Sequence, residues 1–196
     1  GFHSLPDFMN SPVSDDIYVR WTQFGVFSSH IRYHGTSKRE PWSYPAIASI
    51  VKKWWKLRYA LIPYIIEQSE KATRTGYPVL RALIFHHPED KLCWHIDDEY
   101  YFGHDFLVAP VMNGEGCRDV YLPKGEWVNF FTGECFEGEC WLKKVDVPLE
   151  EMPVYVRKGA TIPMYPEEVD CTDEMDLSKS ILVKIDDAYR GFWADR

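Results

Sequence analysis

The spacing of apolar residues changes at Gly76, and this change divides the chain into a helical part and a β part. Between residues 45 and 75 the apolar side chains recur every three to four positions, which predicts an amphipathic helix. Pro45 suits the first turn of that helix, and Pro63 predicts a kink or a break because proline lacks a backbone N–H donor. Gly76 is a favourable C-terminal stop. The short apolar runs that follow, most of them closed by Pro, Gly or Asn, are typical of strands joined by turns.

Short strands are predicted throughout the β part. They cover residues 79–85, 106–112, 119–122, 127–131, 141–147 and 154–157. Strands at such regular intervals predict an antiparallel β-sandwich over residues 80–165. Side chains on the inner faces of such a sandwich should include Trp127, Phe131, Val145 and Val147.

The segment from Ser28 to Gly35 holds the densest group of candidate binding residues. Ser14 is a suitable N-cap for a helix that ends before this segment, and residues 28–35 predict a short buried strand and its exit loop. The segment carries two histidines and an arginine. An α/β barrel places its binding groups where strands end and face the ligand, so we expect a binding role here.

Charge and hydropathy limit the partners of this chain. Its net charge is −8, whereas nucleic acids and anionic membranes are bound through clustered Lys and Arg. No apolar run approaches the roughly 20 residues of a transmembrane helix. We therefore expect no nucleic-acid partner and no membrane partner. The aromatic share of 16% suits β-sandwich cores and surfaces that face sugars.

The cysteines and histidines indicate neither a disulfide framework nor a metal site. The five cysteines are odd in number and form no C-x-x-C, so we expect reduced thiols in a cytoplasmic protein. No signal peptide is visible, although truncation before Gly1 would remove one. His30 and His34 have the i, i+4 spacing of a helical metal pair, but a strand would not bring them together. We predict no metal.

A set of short motifs runs through most of the chain. In chain order these are Gly1-Phe2, Arg20-Trp21, Phe24-Gly25, Arg32-Tyr33-His34, Arg58 to Tyr64, Pro78 to Arg81, Gly103 to Val111, Val120 to Pro123, Gly125 to Trp127, Thr132-Gly133 and Pro153 to Gly159. In this order the set resembles the last part of a glycoside hydrolase family 31 enzyme. The stretches Ser28 to Gly35 and Arg39 to Trp42 look more like the α-xylosidase branch than the α-glucosidases.

The resemblance implies a fold of α/β plus all-β class. Residues 1–78 would be the C-terminal end of a (β/α)8 catalytic barrel, and residues 79–166 a proximal antiparallel β-sandwich. Residues 167–196 would be an acidic linker and the start of a distal β domain.

The resemblance also implies an activity and site residues. The parent protein would be a retaining α-glycosidase that hydrolyses α-linked xylosides or glucosides of an oligosaccharide or glycoside substrate. His34 would donate a hydrogen bond to a sugar hydroxyl, Phe2 would form an apolar wall, and Arg32 would support the site by pairing with a carboxylate. No cofactor is implied. The two catalytic aspartates of the family would lie upstream of Gly1, so this chain would contain no catalytic residue and we expect it to be inactive alone.

Three further interpretations follow from the sequence. A non-catalytic carbohydrate-binding or structural β module is the alternative function, although residues 1–76 would have no place in a standalone module. Asp97-Asp98-Glu99 is an acidic cluster, which we expect to be a solvated loop rather than a catalytic pair. Barrel residues separated from their neighbours would expose apolar surface at Trp21, Phe24, Trp54 and Trp55 unless something covers them, so a homo-oligomer is also expected.

Overall fold

The computed structural model describes residues 13–34 and 39–194. Three helices come first: α1 (Asp15–Val26), α2 (Ala48–Ala60) and α3 (Ile62–Thr75). Ten strands follow: β1 (Leu80–Arg81), β2 (Tyr100–Phe102), β3 (Phe106–Val108), β4 (Cys117–Leu122), β5 (Glu126–Asn129), β6 (Cys135–Glu137), β7 (Cys140–Asp146), β8 (Val154–Arg157), β9 (Thr161–Met164) and β10 (Ile181–Lys184). The predicted change from helices to strands after Gly76 is therefore confirmed.

The helix boundaries follow from local chemistry. α1 begins after the N-cap Ser14 and has two aspartates in its first turn, where the helix dipole favours negative charge. The predicted break in the long helix occurs at Leu61, and Pro63 lies in the first turn of α3, where its missing N–H costs least. Gly76 ends α3 with φ of 78°, a left-handed conformation that glycine adopts without a steric penalty.

A six-stranded antiparallel sheet forms the centre of the molecule, in the order β1-β2-β3-β8-β5-β6. Alternate residues along its strands point to opposite faces. Tyr101, Leu107 and Tyr155 pack towards the antiparallel pair β4–β7. Phe102 and Phe106 pack on the other face, against α2 and α3. The sheet is thus buried on both sides.

The predicted sandwich and its inward-facing residues agree with this arrangement. Trp127 and Val147 are buried, while Phe131 and Val145 are half-buried and pack against the core clusters. Trp54, in contrast, is 1% exposed and contacts Phe131 edge to face. Of the residues expected to be exposed unless covered, Trp54 is covered by the sandwich on this face of α2, whereas Trp21 is 48% exposed.

Two predicted strands differ from the structure. Residues 28–34 contain no strand, and only Leu80–Arg81 of residues 79–85 is a strand, followed by a short 3₁₀ turn at Leu83–Phe85. A strand exists only where a neighbour completes its hydrogen bonds. Within the described residues, no strand pairs with residues 28–34.

The end of the described chain returns to the main core. β10 pairs antiparallel with β9. Ile185 and Phe192 are buried in the same cluster as the helices. The Tyr189 hydroxyl donates a hydrogen bond of 2.6 Å to the Phe130 carbonyl. Residues 181–193 therefore pack on the body of the protein.

Candidate functional site

The turn after α1 is held by a buried arginine from α2. Arg58 is 8% exposed, and its Nη1 donates to the carbonyl oxygens of Val26, at 2.8 Å, and of Ser28. Its Nη2 donates to the carbonyl of Ser29 at 2.9 Å. Burial lowers the pKa of Arg58 to about 10, so the guanidinium stays charged at neutral pH. These bonds fix the start of the segment that carries the candidate binding residues.

Tyr33 anchors the far end of the same segment. The Thr22 hydroxyl donates to the Tyr18 carbonyl at 2.8 Å, so Thr22 Oγ1 accepts the Tyr33 hydroxyl proton at 2.6 Å. The Tyr33 oxygen in turn accepts the indole N–H of Trp55 at 3.1 Å. The ring stacks on Tyr18 with a centroid distance of 5.0 Å, and burial raises the pKa of Tyr33.

Arg32 and His34 flank Tyr33 and are both exposed. Nη2 of Arg32 lies 2.9 Å from Nδ1 of His34. A guanidinium can only donate, so Nδ1 must be the acceptor and the ring proton must lie on Nε2. This pairing leaves the Nε2–H of a neutral imidazole directed away from Arg32, as a donor for a hydroxyl oxygen.

Two family models cover most of the chain. Residues 1–68 match the TIM-barrel domain of glycosyl hydrolases family 31, and residues 76–162 match the glycosyl hydrolase family 31 C-terminal domain. The chain belongs to glycosyl hydrolase family 31. Its fold is the end of the family's barrel followed by the C-terminal domain.

Curated relatives and solved structures agree with the family. Alpha-glucosidase 2 of Bacillus thermoamyloliquefaciens is 35% identical over 75% of this chain and 19% of that protein. An alpha-xylosidase of Saccharolobus solfataricus is 35% identical over 81% of this chain and 22% of that protein. The family 31 dextranase of Flavobacterium johnsoniae, solved with isomaltotriose, has a TM-score of 0.73 and 39% identity over 80% of this chain and 20% of its own. The chain spans about a fifth of the length of these relatives.

The segment of residues 28–34 contains some of the predicted site residues and not others. His34 and Arg32 lie together on it, whereas Phe2 lies outside the described residues. The carboxylate that we expected beside Arg32 is not found within the described part, where the recorded partner of its guanidinium is His34. Trp42, at the end of the stretch that resembles the α-xylosidase branch, is 78% exposed.

The acidic cluster Asp97-Asp98-Glu99 is a loop that is solvated only in part. Asp97 and Asp98 are exposed, but Glu99 is 3% exposed. One oxygen of Glu99 accepts the Tyr121 backbone N–H at 2.8 Å and lies 3.4 Å from Arg118. Burial raises the pKa of Glu99 to about 8, against the smaller opposing effects of that hydrogen bond and of Arg118. Glu99 therefore has a structural role inside the sandwich.

Histidines also cluster in the sandwich, around Tyr101. The ring of His86 lies 4.3 Å from the Tyr101 ring and 5.2 Å from the His104 ring, and its Nε2 accepts from Arg81 at 3.1 Å. Burial and the nearby arginines lower the pKa of His86 to about 3. Among the described residues no group of His, Cys, Asp or Glu is arranged to hold a metal ion. No described helix has the length and apolar character needed to cross a bilayer.

The sequence interpretation gave no role to Arg58, Thr22 or Trp55. Arg58 falls among the apolar positions of the predicted helix and within the Arg-Tyr-x-Leu-x-Pro-Tyr motif. A charged residue on the buried face of a helix needs a partner, and this was the available signal. Its partners are backbone carbonyls, which a sequence does not identify.

Proposed function

We propose that this chain is part of a retaining α-glycosidase that hydrolyses α-linked xylosides or glucosides. The relatives named alpha-xylosidase and alpha-glucosidase, each about 35% identical, support this activity. The dextranase solved with isomaltotriose supports an oligosaccharide or glycoside as the substrate. A retaining mechanism uses two carboxylates about 5–5.5 Å apart. We place these two aspartates in the part of the parent protein that precedes Gly1.

The hydrogen bond between Arg32 and His34 is the observation that carries the proposal. It fixes the imidazole tautomer in which Nε2 is a donor, and sugar hydroxyl oxygens are acceptors for such a group. Arg32 would support the site by holding this tautomer. Phe2 would supply an apolar wall of the same subsite. Neutral His34 would hold the sugar ring without adding charge beside a developing oxocarbenium ion.

The remaining features of the proposal concern organisation. The chain would divide into a barrel end at residues 1–78, a proximal sandwich at residues 79–166, and a linker with the start of a distal β domain at residues 167–196. The protein would be cytoplasmic, would bind no nucleic acid and would need neither a cofactor nor a metal. A homo-oligomer is supported by the exposed apolar side chains of Ile17 and Met112.

The proposal is tested by assaying the full-length parent and the 196-residue chain with nitrophenyl α-xyloside and nitrophenyl α-glucoside. We expect the parent to release nitrophenol and, by proton NMR, to give a first sugar product of retained α configuration. The chain alone should give no turnover. Turnover that co-purifies with the chain alone would overturn the placement of the catalytic aspartates. Sugar binding without hydrolysis by the parent would instead favour a non-catalytic carbohydrate-binding or structural β module.

A further inference from the structure

The carbonyls that contact Arg58 belong to the C-terminal end of α1. Val26 is its last residue, and the carbonyls of a helix end have no partners within the helix. Val26, Phe27 and Ser28 are buried, so water does not easily satisfy this end. α1 has no basic residue in its last turn. Arg58 of α2 therefore supplies, from another helix, the positive charge that the negative end of the α1 dipole favours.

The guanidinium of Arg58 is buried and is bonded to backbone carbonyls. Within the described residues its hydrogen bonds go to the carbonyls of Val26, Ser28 and Ser29 rather than to a carboxylate. A buried charge without a counter-ion is costly unless its donors are all well placed. The planar guanidinium holds several acceptors in a fixed geometry, which an ammonium cannot do. The guanidinium thus holds the backbone from Val26 to Ser29 through three carbonyls.

A second side chain of α2 holds the other end of the segment. Trp55 lies three residues before Arg58, so the two share one face of the helix. Trp55 contacts the Tyr33 hydroxyl, and Arg58 contacts the carbonyls up to Ser29. The backbone between Ser29 and Tyr33 is therefore held at both ends by side chains of α2, and His34 follows directly after the second contact.

We infer that Arg58 is a positioning residue, which places the Arg32–His34 pair by fixing the backbone that leads into it. Arg58 is buried behind the segment and acts through the backbone. The inference rests on the proposed function for its effect on catalysis, but the effect on the His34 ring is independent of any reaction.

Arg58→Lys is the informative variant, because lysine keeps the charge but cannot hold all the carbonyls at once. In the full-length parent we expect kcat/KM to fall by roughly ten- to a hundredfold, since a displacement of about 1 Å can cost that much. The loss should appear mainly in kcat, with KM changing less than about threefold. Arg58→Ala would leave buried carbonyls unpaired and serves only to compare stability.

Arg118→Lys is the matched control. Arg118 is 7% exposed, and its Nη1 donates to the carbonyls of Pro110 at 2.5 Å and Asp98 at 3.0 Å. Like Arg58 it is a buried arginine that bonds backbone carbonyls, but it lies inside the sandwich, away from the segment, and also pairs with Asp98 and Glu99. Arg118→Lys should lower the melting temperature of the protein and leave kcat and KM within about threefold of the wild type.

The second measurement uses the 196-residue chain and needs no activity. Nitrogen-15 NMR of the His34 ring should show the Nε2–H tautomer in the wild type and in Arg118→Lys, and a mixture of tautomers in Arg58→Lys. If the tautomers behave as expected but the full-length parent shows no glycosidase activity, the proposed function is refuted and the positioning role of Arg58 still stands. A wild-type His34 tautomer in Arg58→Lys, or a kcat within threefold of wild type in an active parent, would overturn the inference.

Discussion

The indole N–H of Trp55 donates a hydrogen bond of 3.1 Å to the hydroxyl oxygen of Tyr33. This bond connects α2 to a segment that contains no regular secondary structure, at a point between two exposed side chains, Arg32 and His34. A loop that carries binding groups must be held by side chains where no strand partner holds it. Tyr33 does this with its ring and its hydroxyl together.

Tyr33→Phe removes the hydroxyl and leaves Trp55 without its acceptor. We expect the free energy of unfolding to fall by about 1 kcal/mol, because the donor of half-buried Trp55 loses its partner while the ring still packs. Urea denaturation of the 196-residue chain measures this. Tyr59→Phe is the control, since the described residues give the half-buried Tyr59 hydroxyl no hydrogen bond. Equal stability losses in the two variants would show that the Tyr33 hydroxyl does not stabilise the segment.

His34→Ala in the full-length parent should lower kcat/KM by roughly 10²–10⁴. A hydrogen bond to a sugar hydroxyl that strengthens in the transition state contributes several kcal/mol together with its neighbours. Steady-state kinetics with a nitrophenyl glycoside provides the measurement. His30→Ala is the matched control, because His30 is exposed on the same segment and contacts Ser29. A change in kcat/KM below threefold for His34→Ala would show that His34 does not bind the sugar.

Arg20→Ala should loosen the contact between α1 and the sandwich. Arg20 donates to the carbonyls of Glu151 and Val147, at 2.6 Å each. Loss of these charge-assisted bonds should cost about 1–3 kcal/mol of unfolding free energy. Limited proteolysis should then cut near α1 before it cuts the sandwich. Arg74→Ala, an exposed change on α3, should leave both measurements as in the wild type.

Glu99→Gln should change how stability depends on pH. The pKa of Glu99 in the folded protein is raised to about 8, above its ordinary value of 4.5. The folded state therefore holds this proton more tightly than the unfolded state. The contribution of Glu99 to stability is fully present below pH 4.5 and is lost as the pH rises to about 8. Urea unfolding at pH 5 and pH 8 should show that Glu99→Gln lacks this loss, while Asp97→Asn retains it.

His86→Gln should act in the opposite direction. The pKa of His86 is lowered from 6.5 to about 3 in the folded protein, because burial and Arg81 disfavour the imidazolium. Its contribution to stability is present above pH 6.5 and is lost as the pH falls towards 3. We expect Glu99 and His86 variants to differ most from the wild type at opposite ends of the pH range. If His86→Gln loses as much stability on acidification as the control His95→Gln, the histidine is not the cause.

The sequence identified the elements whose boundaries depend on local chemistry. The helix break near Pro63 and the stop at Gly76 follow from a missing donor and from a left-handed backbone, which are properties of single residues. The family followed from motifs in a fixed order, and His34 came to notice through one of these motifs. Whether His34 and Phe2 bind sugar stays a prediction.

The tertiary structure decided the features that depend on distant residues. Glu99 belongs to a run of acidic residues, yet its contacts with Tyr121 and Arg118 of β4 place it in the interior. Residues 28–34 have the composition of a strand. Within the described chain they are held instead by the bonds from Arg58 to backbone carbonyls and by the bond from Trp55 to the Tyr33 hydroxyl. A sequence specifies which groups can donate, accept or carry charge. Which partner each group meets is decided only when the chain folds, because burial and three-dimensional proximity set the free energy of each contact.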